Sequence, residues 1–127
     1  MSSVLIIDDY EPVRKLIRQA LEGAGHTVVE ASSSHEGLRV FRETPTDVIL
    51  TDSLMPYEDT LQTTQKLRSE FPDVKTIVFI RETADRSFID LAKLLGANGT
   101  LMKPFDLRVL RDTVQRVLQE EVGQLSH

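Results

Sequence analysis

The chain has 127 residues, 40% of them hydrophobic and 28% charged, a composition that builds one globular domain and excludes a disordered chain. Its net charge of −5 argues against direct nucleic-acid binding, and the absence of cysteine excludes disulfide frameworks, thiolate zinc sites and thiol nucleophiles. No apolar run approaches the ~20 residues that span a bilayer, and Met1 to Val4 shows no secretory leader, so the expectation is a cytoplasmic protein without a membrane segment.

Short apolar runs alternate with segments of helical period. Val4-Leu5-Ile6-Ile7 has the pattern of a strand buried on both faces. Pro12 suits the first turn of a helix, behind which Val13, Leu16, Ile17, Ala20, Leu21 and Ala24 recur at helical spacing until Gly23 and Gly25 end it. Thr27-Val28-Val29 predicts a second strand. Ser33 and Glu36 have capping-box spacing, opening a short helix that buries Leu38 and Phe41. Val48-Ile49-Leu50 predicts the third strand, and a helix over about 59–71 turns Leu61, Thr64, Leu67 and Phe71 inward. Residues 76–80 form a fourth apolar run. Phe88, Leu91, Ala92 and Leu95 mark one face of a fourth helix that stops at Gly96. Gly99-Thr100-Leu101-Met102 predicts the fifth strand, and Asp106 can cap a last helix carrying Leu107, Leu110, Val114, Val117 and Leu118.

Five strands alternating with five helices imply right-handed crossovers and a parallel sheet covered on both sides, an α/β doubly wound fold. Such sheets bind ligands at the carboxyl ends of their strands. There the first strand runs into Asp8-Asp9, the third into Asp52 and the fifth into Lys103-Pro104. Two carboxylates about 4 Å apart repel by roughly 4 kcal/mol at an effective dielectric near 20. A hard divalent cation relieves that repulsion, and an all-oxygen, water-rich site suits Mg²⁺. Lys103 offers a compact charge for the remaining anion or for a phosphoryl oxygen. Any one of these residues alone would be an ordinary turn or cap residue. All four at the carboxyl ends of strands in one sheet point to a site.

Leu5-Ile6-Ile7-Asp8-Asp9, Asp47 to Asp52 followed by Met55-Pro56, and Leu101-Met102-Lys103-Pro104-Phe105 resemble the three signature blocks of response-regulator receiver domains. Gly96-Ala97-Asn98-Gly99 is similar to the family's approach to its fifth strand. The resemblance runs from about Val4 to Val122, which implies a receiver domain over residues 1–122 and leaves 123–127 as a short tail. It implies a CheY-like, flavodoxin-like (βα)5 three-layer sandwich with strand order 2-1-3-4-5. It implies that Asp52 accepts a phosphoryl group from a phosphohistidine of a sensor histidine kinase or phosphotransfer protein. Asp8, Asp9, Asp52 and the main-chain carbonyl of Leu54 would serve a Mg²⁺ ion, Asp8 through bound water. Lys103 would pair with Asp52 at rest and with the phosphoryl group afterwards, and the Lys103-Pro104 bond would be cis. Such a domain is a phosphoacceptor, not an enzyme acting on other molecules. It signals to a downstream protein target or a fused output domain, and the face of the fourth helix, fifth strand and fifth helix is a candidate homodimer surface.

The pattern departs from the family at five positions. Arg81 stands where a Thr or Ser is expected at the end of the fourth strand, and Glu82 where a small residue is expected. Thr100 replaces an aromatic switch residue, and Tyr57 and Thr60 replace two glycines. Arg81 either donates a charge-assisted bond to the phosphoryl group or Asp52, or points with Glu82 into water. Leu54 and Thr83 occupy the positions that tune water access in the family; Leu54, being apolar, either favours a slowly decaying phosphoryl group or is a partly buried packing residue. These departures motivate an alternative: a pseudo-receiver that binds partners independently of phosphorylation. Retention of Asp8, Asp9, Asp52 and Lys103 together weighs against it, because unused buried charges are costly to hold. An FMN-binding flavodoxin would need a hydroxyl- or Gly-rich loop where Asp8 to Glu11 stand, and a haloacid-dehalogenase phosphatase would need Asp-x-Asp. His26, His35 and His127 lack metal-ligand spacing, Ser33-Ser34 reads as a cap, and Arg108, Arg111 and Arg116 as a solvated helix face.

Overall fold

The computed structural model describes residues 2–52, 57–81, 90 and 97–120, with the backbone alone at 57–61, 63, 64 and 81. Strand β1 (Ser3–Ile7) leads into helix α1 (Glu11–Gly23), β2 (Thr27–Ala31) into α2 (Ser34–Glu43), and β3 (Val48–Asp52) into α3 (Tyr57–Glu70). Then come β4 (Lys75–Arg81), β5 (Gly99–Lys103) and a C-terminal helix (Leu107–Gln119). The predicted fourth helix lies outside the described residues apart from Asp90, as do Val122 and the tail.

The five strands form one parallel sheet in the order β2-β1-β3-β4-β5, as expected of the doubly wound fold. Alternation along the central strands feeds two cores. Val4, Ile6, Val48, Leu50, Ile77 and Phe79 pack against α1 and the C-terminal helix. Leu5, Ile7 and Ile49 pack on the other face with Leu38, Phe41 and Leu67 of α2 and α3. Both faces of β1 and β3 are therefore dry, which is why their sequences read as unbroken apolar runs. Helix α2 lies so close to β1 that a Cβ at Gly37 would run into the Ile7 side chain.

The predicted caps form. The Asp106 side chain accepts a bond from the Val109 amide at 2.9 Å, and Ser33 accepts one from Glu36 at 3.1 Å. Glu36 completes its box one residue early, accepting from the Ser32 amide rather than from Ser33. Gly25, with φ of 96°, makes the turn after α1 that an L side chain would resist. Leu16 departs from the expected buried stripe and is half exposed. Successive helix residues are ~100° apart, so it sits a quarter turn away from the line of Ile17, Ala20 and Leu21.

Candidate functional site

Asp8 follows β1, Asp52 ends β3 and Lys103 ends β5, so the parallel sheet delivers all three to one edge. Asp52 continues the alternation of Val48 and Leu50, which puts it on the face covered by α1 and the C-terminal helix. Asp8 and Asp52 are fully buried and Asp9 is exposed. A carboxylate oxygen from each of the three lies within 4.8 Å of the others. The Lys103 ammonium sits between the two buried acids, 3.1 Å from Asp52 Oδ1 and 3.3 Å from Asp8 Oδ2. It also lies 5.3 Å from the centre of the Phe79 ring, which stacks on Phe105. The Lys103-Pro104 bond is cis, as the resemblance implies.

Three carboxylates facing one ammonium leave two negative charges in excess in this group. Charges held in a protein interior need compensation, since desolvation costs each several kcal/mol. A compact set of hard oxygen donors, open on the Asp9 side, fits a Mg²⁺ ion that keeps part of its water shell. The residues present are therefore suited to that ion.

A second set of contacts, which the sequence reading did not single out, holds Asp8 in place. Its carboxylate accepts from the Tyr10 amide at 2.9 Å, and its own amide donates to Ala31 O at 3.1 Å. Its carbonyl accepts from Arg14 Nη1 at 2.8 Å. Arg14 Nε in turn donates to Glu30 Oε1 at 2.7 Å, and Lys15 and Arg18 reach Glu30 Oε2. Burial alone would raise the Glu30 carboxyl, but the bonds from Arg18, Arg14 and Lys15 outweigh it and hold it at about 2. A signal was available: Glu30 has the same parity as buried Val28 in β2, and an acid on a buried face calls for cations from the helix above it. Asn98 likewise positions a strand end. Its side chain accepts from the Thr76 amide and its amide donates to Thr76 O, fixing the entry to β5 against β4.

The departing positions are placed only in part. Arg81 pairs with Lys103 in the β4–β5 register, beside the pocket, and its side chain lies outside the described residues. Thr100 is half-buried in β5 and pairs with Val78. Tyr57 and Thr60 fall in the first turn of α3. Leu54, Met55, Pro56, Glu82 and Thr83 lie outside the described residues. His35, Arg108, Arg111 and Arg116 are exposed, and His26 is half-buried. Among the described residues, no helix is long and apolar enough to cross a membrane.

The family model described as the response regulator receiver domain matches residues 4–115. A probable chemotaxis protein CheY of Rhizobium etli is 32% identical over 117 residues, covering 90% of each chain. The sensor kinase CckA of Brucella abortus is 32% identical over 122 residues, which are 94% of this chain but 13% of the kinase. A crystal structure of a response regulator receiver domain protein from Clostridium thermocellum superimposes with a TM-score of 0.85 at 30% identity, covering 93% of this chain and 94% of that one.

Proposed function

The chain belongs to the response regulator receiver domain family, and from that premise we propose that it takes up a phosphoryl group on Asp52 in a Mg²⁺-dependent reaction and signals through protein contacts. The observation that carries this reading is the Lys103 ammonium poised between the buried Asp52 and Asp8 carboxylates.

In the proposed reaction an Asp52 carboxylate oxygen attacks the phosphorus of a phosphohistidine in line with the leaving imidazole. A P–O bond forms, the P–N bond breaks, and its electron pair leaves with the imidazole. Lys103, already 3.1 Å from Asp52, donates to the phosphoryl oxygens as charge spreads over them. Asp8, Asp9, Asp52 and the Leu54 carbonyl would hold the Mg²⁺, which supplies positive charge to the phosphoryl oxygens and offsets the excess of the carboxylates. Arg81 stands beside Lys103 in the sheet register, at the place of the expected hydroxyl, and either donates to the phosphoryl group or points with Glu82 into water. With Thr100 in β5 the usual hydroxyl–aromatic coupling is missing, so the signal leaves the pocket by another route. The donor is a sensor histidine kinase or phosphotransfer protein in the cytoplasm. The recipient is a downstream protein or a fused output domain.

Intact-mass measurement after incubation with a small acyl-phosphate donor, with and without Mg²⁺, tests the reading. A Mg²⁺-dependent phosphoryl adduct lost in Asp52→Ala is expected. An adduct that survives in Asp52→Ala refutes the assignment of Asp52, and no adduct from either the small donor or a cognate kinase favours the pseudo-receiver.

A further inference from the structure

Of the three clustered carboxylates, two are held by direct contacts. Asp8 is bonded to the Tyr10 amide and to Lys103, and Asp52 is paired with Lys103. Asp9 differs: among the described residues its side chain has no hydrogen bond or ion pair, and it is exposed. Its place within 4.8 Å of the other two acids must therefore come from the main chain beneath it. That main chain is the Asp8–Asp9 peptide. Because a peptide unit is planar, fixing the Asp8 carbonyl also fixes the Asp9 amide and the direction in which Asp9 leaves the strand.

Arg14 is what fixes that carbonyl. Its side chain is 13% exposed, and it spans 2.8 Å to Asp8 O and 2.7 Å to Glu30 Oε1. Glu30 precedes Ala31, whose carbonyl takes the Asp8 amide at 3.1 Å. Asp8, Ala31, Glu30 and Arg14 thus form a closed ring that ties both main-chain polar groups of Asp8 to the end of β2. Lys15 and Arg18 neutralise the same Glu30 but make no bond to Asp8. Only the arginine fork makes both bonds at once; a lysine ammonium would keep the charge and lose the geometry.

We propose that Arg14, anchored by Glu30, is a positioning residue for the divalent-cation site, acting through the Asp8–Asp9 peptide to present the exposed Asp9 carboxylate. The inference rests on the reading that the pocket holds a divalent cation. It makes a prediction opposite in sign to simple electrostatics. Removing a cation beside an acidic pocket would by charge alone tighten metal binding. Loss of a residue that orients a ligand instead weakens binding, typically by tenfold or more.

The test is Mn²⁺ affinity of the unphosphorylated full chain, read by electron paramagnetic resonance, with Mg²⁺ as competitor. Arg14→Gln and Arg14→Lys are expected to weaken Mn²⁺ binding by about tenfold, while Lys15→Gln and Arg18→Gln leave it unchanged or tighter. Glu30→Gln should weaken it as well, and adding Glu30→Gln to Arg14→Gln should cost little more, because both break one ring. Circular dichroism at the titration temperature confirms that each variant is folded, and Arg14→Lys serves if Arg14→Gln is not. Unchanged or tighter binding in the folded Arg14 variants overturns the inference while leaving the metal site standing. Failure of the wild-type chain to bind Mn²⁺, or equal binding by Asp9→Asn, overturns the metal reading and this inference with it.

Discussion

Replacing Lys103 with methionine separates the charge of this side chain from its bulk. The unbranched methionine keeps contact with the Phe79 ring, 5.3 Å from the ammonium, and removes the only cation bonded to both buried acids among the described residues. At 3.1 and 3.3 Å and an effective dielectric near 20, each attraction is about 5 kcal/mol before desolvation is counted. Taking one partner from a buried ion pair typically costs about 3–5 kcal/mol, because the charge left behind is uncompensated. Lys103→Met should therefore lose about 3 kcal/mol when divalent ions are chelated, enough to move the urea midpoint by about 1 M or more. Saturating Mg²⁺ should return much of that loss: a ligand at a hundred times its dissociation constant stabilises by about 2.7 kcal/mol. The variant should also gain more from Mg²⁺ than the wild type, since an incoming cation no longer meets the ammonium. Urea unfolding of both proteins near neutral pH, in chelator and in Mg²⁺, reads these differences. Equal stability in chelator would refute the compensating role of Lys103, and equal gains from Mg²⁺ would refute the shared occupancy of one pocket.

Three further outcomes are expected. A Glu30 carboxyl held at about 2 in the fold, against 4.5 ordinarily, contributes stability that is complete above about pH 4.5 and is lost as pH falls toward 2. The contribution is about 3 kcal/mol, reduced to about 2 by solvent around Lys15 and Arg18, so Glu30→Gln should be less stable than wild type near neutral pH by that amount, with the gap closing through that window. A gap that stays constant with pH would contradict the assignment. The Thr51 hydroxyl is buried without a hydrogen-bond partner among the described residues, so the isosteric Thr51→Val should gain about 1 kcal/mol in urea unfolding; a loss would reveal a partner. Arg81→Ala should slow phosphorylation by a small donor, or shorten the phosphoryl lifetime, by about tenfold, the worth of a charge-assisted bond of ~1.5 kcal/mol. Unchanged kinetics by mass spectrometry would leave Arg81 as a solvent-facing strand end.

The parts of this molecule that could be read from its sequence are those set by local chemistry or by a repeating period. Val4 to Ile7 and Val48 to Leu50 announce buried strands because both of their faces are dry. Once alternation implies a parallel sheet, Asp8, Asp52 and Lys103 must meet at one edge, whatever the loops do. Ser33 and Asp106 declare their helices because a cap needs a partner only two or three residues away. Leu16 is half exposed because a helical period allows a stripe wider than the one the sheet covers. Glu36 takes the Ser32 amide, one residue from the box its spacing predicts, because Ser32 and Ser33 offer it neighbouring amides.

Arg14 was missed for a different reason. Its role depends on β2 lying parallel to β1 in the register that pairs Ile6 with Glu30 and Ile7 with Ala31. Shifting that register by one residue would turn Glu30 to the opposite face of the sheet, away from α1, and Arg14 would lose its anchor. Nothing in the run Thr27 to Ala31 specifies the register by itself; the alternation of Val28 and Ala31 against the two cores does so only after the fold has formed. The carboxylates that do the proposed chemistry are thus local facts of the sequence, whereas the presentation of Asp9 is a fact of strand pairing. A change in β2, well away from Asp52 in the chain, should consequently act on the cation site before it acts on the acceptor.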